Sequence, residues 1–144
     1  MNEFLSRFSL PWVAVVISAV AIYAVPLALP TPLLDPDEGL HASISQEMAE
    51  TGDYVVPRLR GEPFLDKPIL YFAAQAVSLR IFGMTEAAAR LPGLLFALAG
   101  VATTYLLAIT LFDRRTAIWA TLVGLTLIVP AALAQAATHD VALV

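Results

Sequence analysis

The sequence predicts an all-α integral membrane protein: three spanning helices and a large external loop that carries two interfacial helices. Three observations carry that reading. The 144 residues are 59% hydrophobic and 14% charged, where a soluble domain has about 45–50% apolar and about 25% charged residues. Residues 8–34, 91–112 and 116–139 contain no Asp, Glu, Lys or Arg, and each run exceeds the ~20 residues that cross a bilayer core. Fourteen of the twenty charged residues lie between Thr31 and Arg90, so one polar segment separates the first apolar run from the other two.

The same composition excludes several classes. A net charge of −4 argues against a nucleic-acid partner, which needs clustered Lys and Arg. With no cysteine, disulfides and thiolate metal sites are ruled out. The first apolar run is longer than the 7–15 residues of a signal-peptide core. Pro26, Pro30 and Pro32 stand where a small-residue cleavage site would be, so the run reads as a retained anchor.

That first span covers residues 11–29. Pro11 suits a first helical turn, where a missing N–H costs nothing, and Pro30 and Pro32 end it. The acids of "LLDPDEGLHASISQEMAETGD" follow at once. Asp35, Pro36 and Glu38 match a capping box, with an acid at the N-cap, Pro at the first position and Glu at the third. Leu40, Ile44 and Met48 recur every four residues, and Thr51-Gly52-Asp53 ends a short amphipathic helix over 37–51. Asp37 is left over by the cap. It either complements the helix dipole or does chemistry at the membrane surface. His41, one turn later, either packs under the loop or shares a metal with Asp37, although a site needs three or four ligands.

Tyr54, Val55 and Val56 read as extended chain, and Pro57 and Pro63 forbid a long helix there. Arg58, Arg60 and Lys67 gather next. Two readings stand: snorkelling to lipid phosphates, or holding a phosphate carried by a lipid. Lys67 is the sharper candidate, because it lies between Asp66 and Pro68 where the chain re-enters the interface. Residues 68–83 are apolar but only about 24 Å long as a helix, either a short span or an interfacial helix. The segments 91–112 and 116–135 flank "FDRRTA" as an antiparallel pair, with Gly93, Gly100 and Gly124 compatible with close packing.

Basic short loops stay cytoplasmic. Arg7, Arg114 and Arg115 therefore place the N-terminus and the hairpin at 113–116 inside. Residues 68–83 then lie in the interface, and the loop 31–90 falls outside together with His139 and Asp140. Asp37 and Asp140 end on one external face. The closing "THDVALV" reads as the start of a further apolar segment, so 1–144 is expected to be the N-terminal portion of a longer membrane domain.

The stretches "DPDEGLHASISQEMAETGDYVVPRLRGEPFLDKPILYF" and "RIFGMTEAAARLPG", then an Arg-bearing hairpin and an isolated Asp, resemble the N-terminal part of the bacterial membrane glycosyltransferases of GT-C fold. The likeness is to the aminoarabinose–lipid A transferase and protein O-mannosyltransferase-like enzymes, over about residues 34–144. It implies a multi-pass enzyme of the bacterial inner membrane, its N-terminus cytoplasmic. Such an enzyme takes a sugar from a polyprenyl-phosphate carrier on the periplasmic side and gives it to a lipid, glycan or protein acceptor. The resemblance places the general base on Asp37, the carrier-phosphate ligand on Lys67 and a second catalytic acid on Asp140. Glu38, Arg58 and Arg60 join Lys67 as candidate substrate-binding residues. No cofactor is required, and nothing in the sequence supports a divalent metal. The rival class is a truncated or non-catalytic membrane subunit, or a transporter fragment. Transporters carry ionisable residues within their spans, and these apolar runs have none.

Overall fold

The computed structural model describes Pro32, Leu33 and residues 36–126. The span expected at 11–29, Asp35 and the segment from 127 onward, with His139 and Asp140, lie outside the described residues. Four helices follow in order: α1 (Asp37–Thr51), α2 (Ile69–Phe82), α3 (Glu86–Leu111) and α4 (Arg114–Thr126). Two short antiparallel strands, β1 (Arg58–Leu59) and β2 (Glu62–Pro63), join α1 to α2, with Arg58 opposite Pro63.

α1 ends where its sequence says it should. Gly52 adopts φ +74°, a conformation open to glycine, and its N–H closes on the Met48 carbonyl at 2.9 Å. Ile44 and Met48 share one buried cluster with Phe72, Ala76 and Leu79 of α2, which also takes in Ala88 and Ala89 of α3. Burial of each large apolar side chain stabilises the fold by about 1.5–3 kcal/mol. The direction of the helices follows from their contacts. His41 meets Phe72 with ring centroids 5.4 Å apart, Ser45 bonds Gln75 at 2.6 Å, and Tyr54 accepts from Arg80 at 3.3 Å. Residue numbers climb together, so α1 and α2 run parallel. Between α2 and α3 they climb in opposite senses, Ser78 to Ala88, Gln75 to Ala89 and Tyr71 to Phe96, so that pair is antiparallel.

Polar groups pin the three helices. Gln75 is fully buried; its oxygen accepts from Ser45 and its amide donates to the Ala89 carbonyl at 2.8 Å. Thr85 caps α3 by accepting from the Ala88 N–H at 3.2 Å, which starts the helix ahead of the apolar run at Leu91. α3 is 26 residues, about 39 Å long, enough to cross a bilayer core of about 30 Å. Its Leu106, Leu107 and Leu111 are exposed on the described surface. A row of exposed leucines on a helix of this length and apolar character suits a membrane-spanning segment. α2 has 14 residues, about 21 Å, too short to cross upright.

Two expectations are corrected. Val55 and Val56 form a bend, not an extended segment: the Asp53 carboxylate accepts from their N–H groups at 3.0 and 3.1 Å. Arg114 and Arg115 open α4 rather than forming a loop, because Asp113 accepts from the Thr116 N–H at 2.8 Å and so caps the helix. Among the described residues a Cβ at Gly100 or Gly124 would meet open space, so no close helix crossing is described at either. Of the three spans expected, the described residues contain one helix long and apolar enough to cross a membrane, α3. α4 packs beside it and is described for 13 residues.

Candidate functional site

Asp37 is the first residue of α1 and is exposed. The N-cap position is Pro36, which has no side-chain cap, and its carbonyl accepts from the Leu40 N–H at 3.1 Å. The helix therefore starts one residue later than the expected capping box places it, and the acid of that box, Asp35, lies outside the described residues. Glu38 turns inward instead. Its two carboxylate oxygens accept from Nε and Nη2 of Arg90 at 3.2 and 3.0 Å, with both side chains about 5% exposed or less. A buried guanidinium without its carboxylate is strongly destabilising, and this demand outweighs a weak surface cap. The Glu38 carboxylate is thus engaged inside the protein, beneath the residues that face outward.

Lys67 stands immediately before Pro68, the N-cap residue of α2, and is half-buried. Because α1 and α2 run parallel, their N-termini lie at one end of the pair. Asp37 and Lys67, separated by the whole β-hairpin in sequence, therefore share that end. Among the described residues neither side chain makes a hydrogen bond or ion pair. Neither helix start carries a side-chain cap among the described residues, so two positive dipole ends face the same region. A carboxylate, an ammonium and two uncapped helix starts on one rim suit a proton acceptor beside an anion.

The β-hairpin holds the other two cations differently. Arg58 lies 3.9 Å from Asp53 and donates to the Gly61 carbonyl at 3.2 Å. The N–H donors of Val55 and Val56, with Arg58 behind them, hold the Asp53 carboxyl below the usual carboxylate range. The Gly61 N–H donates to Glu47 of α1 at 2.9 Å, which fixes the turn against the helix. Arg60, at φ +57°, is exposed at the tip. With Leu59 it walls an open groove of about 460 Å³ whose floor is Gly39, Leu40, Ser43 and Glu47 of α1. Arg58 is tied into the hairpin, whereas Arg60 is presented over a groove that starts two residues from Asp37.

His41 is buried against Phe72; the described residues hold no cluster of three or more His, Asp or Glu able to ligate a metal. Arg90 and Tyr71 were not foreseen. Tyr71 is 1% exposed, and its hydroxyl has no hydrogen-bond partner among the described residues. Burial, and then the nearby Glu38 carboxylate, raise its ionisation well above the ordinary tyrosine value. The signal for Arg90 was available: a lone cation after three alanines, at the mouth of an uncharged run, needs a buried counterion.

Residues 66–144 match the family model described as dolichyl-phosphate-mannose-protein mannosyltransferase. Undecaprenyl phosphate-alpha-4-amino-4-deoxy-L-arabinose arabinosyl transferase of Aeromonas hydrophila is 37% identical over 106 residues, 68% of this chain and 18% of that protein. The protein of the same name from Yersinia enterocolitica is 34% identical over 109 residues, 75% of this chain and 20% of its own. The crystal structure of ArnT from Cupriavidus metallidurans in the apo state superposes with a TM-score of 0.84 at 31% identity, over 94% of this chain and 25% of that one. Its structure bound to undecaprenyl phosphate gives 0.79 at 31% identity, over 92% and 25%. The chain thus spans about a quarter or less of the proteins it matches. With more than half of its residues inside the family model and its helices laid out as in ArnT, the chain belongs to the dolichyl-phosphate-mannose-protein mannosyltransferase family and carries the N-terminal part of a GT-C glycosyltransferase fold.

Proposed function

We propose that this chain forms the catalytic rim of an enzyme that transfers a sugar from a polyprenyl-phosphate carrier to a lipid, glycan or protein acceptor. The transfer takes place at the external, periplasmic face of a bacterial inner membrane. The observation that carries this reading is the juxtaposition of Asp37 and Lys67 at the uncapped ends of two parallel helices. The relatives' names make undecaprenyl-phosphate-linked 4-amino-4-deoxy-L-arabinose the first donor to assay.

Asp37 accepts the proton of the acceptor hydroxyl as that oxygen bonds to the anomeric carbon. The bond from that carbon to the phosphate oxygen breaks, and its electron pair leaves on the carrier phosphate. Lys67 and the adjoining helix dipoles offset the charge that develops there. General-base help is worth ~10²–10⁴-fold. Arg60 guides a phosphate along the groove, and Asp140 joins Asp37 from the second external loop. The scheme requires no cofactor. α2 lies in the interface: Leu70, Val77, Ile81 and Phe82 are exposed, while Phe72, Gln75 and Ala76 are buried against α1 and α3.

Carrier binding by the full-length protein tests the reading. Lys67→Ala should lose most of its affinity for undecaprenyl phosphate, and Lys67→Arg should recover only part of it, since a planar fork replaces a compact charge. Undiminished binding by the alanine variant would return Lys67 to lipid snorkelling.

A further inference from the structure

We infer that Arg90 is a positioning residue for Asp37, acting as a clamp on the segment that carries it; the inference rests on Asp37 being the base. Arg90 is 4% exposed, and its guanidinium reaches both Pro32 and Glu38. Nη2 donates to the Pro32 carbonyl at 3.0 Å, and Nε and Nη2 donate to the two oxygens of Glu38. Pro32 lies five residues before Asp37 and Glu38 one residue after it. A single buried cation on α3 therefore holds both sides of the stretch that enters α1. The Asp37 side chain makes no hydrogen bond of its own among the described residues, so its direction is set by the backbone that Arg90 fixes. The contact spans 52 residues and ties the base to α3, the one described helix long enough to cross the membrane.

The planar fork makes this possible. A guanidinium serves a bidentate carboxylate and a carbonyl at once, in fixed directions; an ammonium keeps the charge but not that geometry. A misplacement of about 1 Å at a reacting group costs roughly 10²-fold in rate. Lys67 sits outside the clamped stretch, so loss of the clamp should spare the carrier.

In the full-length protein, Arg90→Lys should lower kcat for sugar transfer by roughly 10²-fold, leaving the donor KM and undecaprenyl-phosphate binding within a few-fold. Glu38→Gln, which keeps shape and one acceptor oxygen, should show the same split in milder form, and it serves if the lysine variant is recovered poorly. The double variant Glu38→Leu with Arg90→Met removes both charges, which a buried pair often tolerates without loss of stability. It should fold and bind carrier, yet transfer no faster than Arg90→Lys. Parental turnover in the double variant would overturn the inference, because the pair would then be needed only for stability.

A second readout is independent of catalysis. A nitroxide at Asp37→Cys should gain mobility in the Arg90→Lys background, while one at Ser43→Cys, exposed in mid-α1, should not. Equal spectra at position 37 in the two backgrounds would remove the clamp whether or not Asp37 is the base. Gained mobility, in an enzyme whose Asp37→Asn variant stays active, would instead keep the clamp and remove the base.

Discussion

Ser78 donates its hydroxyl to the carbonyl of Ala88 at 2.6 Å, in the place left open by Pro92. In an α-helix that carbonyl would accept from the N–H four residues on, and Pro92 has none. α3 carries the proline inside its buried first turns, and α2 supplies the missing donor from 10 residues away in sequence.

Ser78→Ala should therefore destabilise the protein by about 1–3 kcal/mol, the cost of leaving a buried acceptor unpaired. Pro92→Ala, which restores the N–H, should be tolerated alone and should rescue most of that loss in the double variant. Thermal unfolding in detergent reads both. Simple additivity of the two changes would show that the Ser78 bond does not substitute for the proline.

The bend at Val55 and Val56 should carry its own pH dependence. Donors from Val55 and Val56 hold the Asp53 carboxyl below its ordinary value. A carboxyl whose folded value is depressed adds stability above its unfolded pKa, ~3.9, and loses it as pH falls through the folded value. Protection of the Val55 and Val56 amides, corrected for intrinsic exchange, should be full near neutrality and should fall below about pH 4. Asp53→Asn should remove that dependence. A profile unchanged by the substitution would assign the bend to other contacts.

Topology is open to a labelling test. Glu62 is exposed on β2, and Arg115 is exposed in the first turn of α4. Single cysteines at these positions should label from opposite sides of intact cells, Glu62→Cys from outside and Arg115→Cys only after permeabilisation, because basic short loops stay inside. Labelling of both from outside would put α2 across the membrane and separate the groove from the carrier.

What the sequence revealed and what it hid divide along physical lines. Local signals read true. The four-residue recurrence from Leu40 to Met48 and the stop at Gly52 set α1, and Pro68 and Gly83 bracket α2. Competing local signals read less well. The β-branched Val55 and Val56 suggested extension, but one Asp53 carboxylate two residues away bent them. The charges of Glu86 and Arg90 suggested loop, whereas Thr85 and Glu86 were a helix start and α3 begins five residues before the apolar run. Pairing across the fold was not legible. Nothing local to Glu38 distinguishes a capping acid from the partner of Arg90, and only the fold, which brings Arg90 of α3 to the start of α1, decides it. The juxtaposition of Asp37 and Lys67 likewise depends on α1 and α2 running parallel, a direction that periodicity does not encode.

The most direct measurement is sugar transfer by the purified full-length Asp37→Asn variant, with donor binding measured on the same sample. Asparagine keeps the shape and much of the hydrogen bonding at the start of α1 but accepts no proton. Since Asp37 is exposed and makes no cap, folding and carrier binding should match the parent, and transfer should fall by ~10²-fold or more. Transfer within a few-fold of the parent would contradict the account and leave Asp37 as an acid complementing a helix dipole.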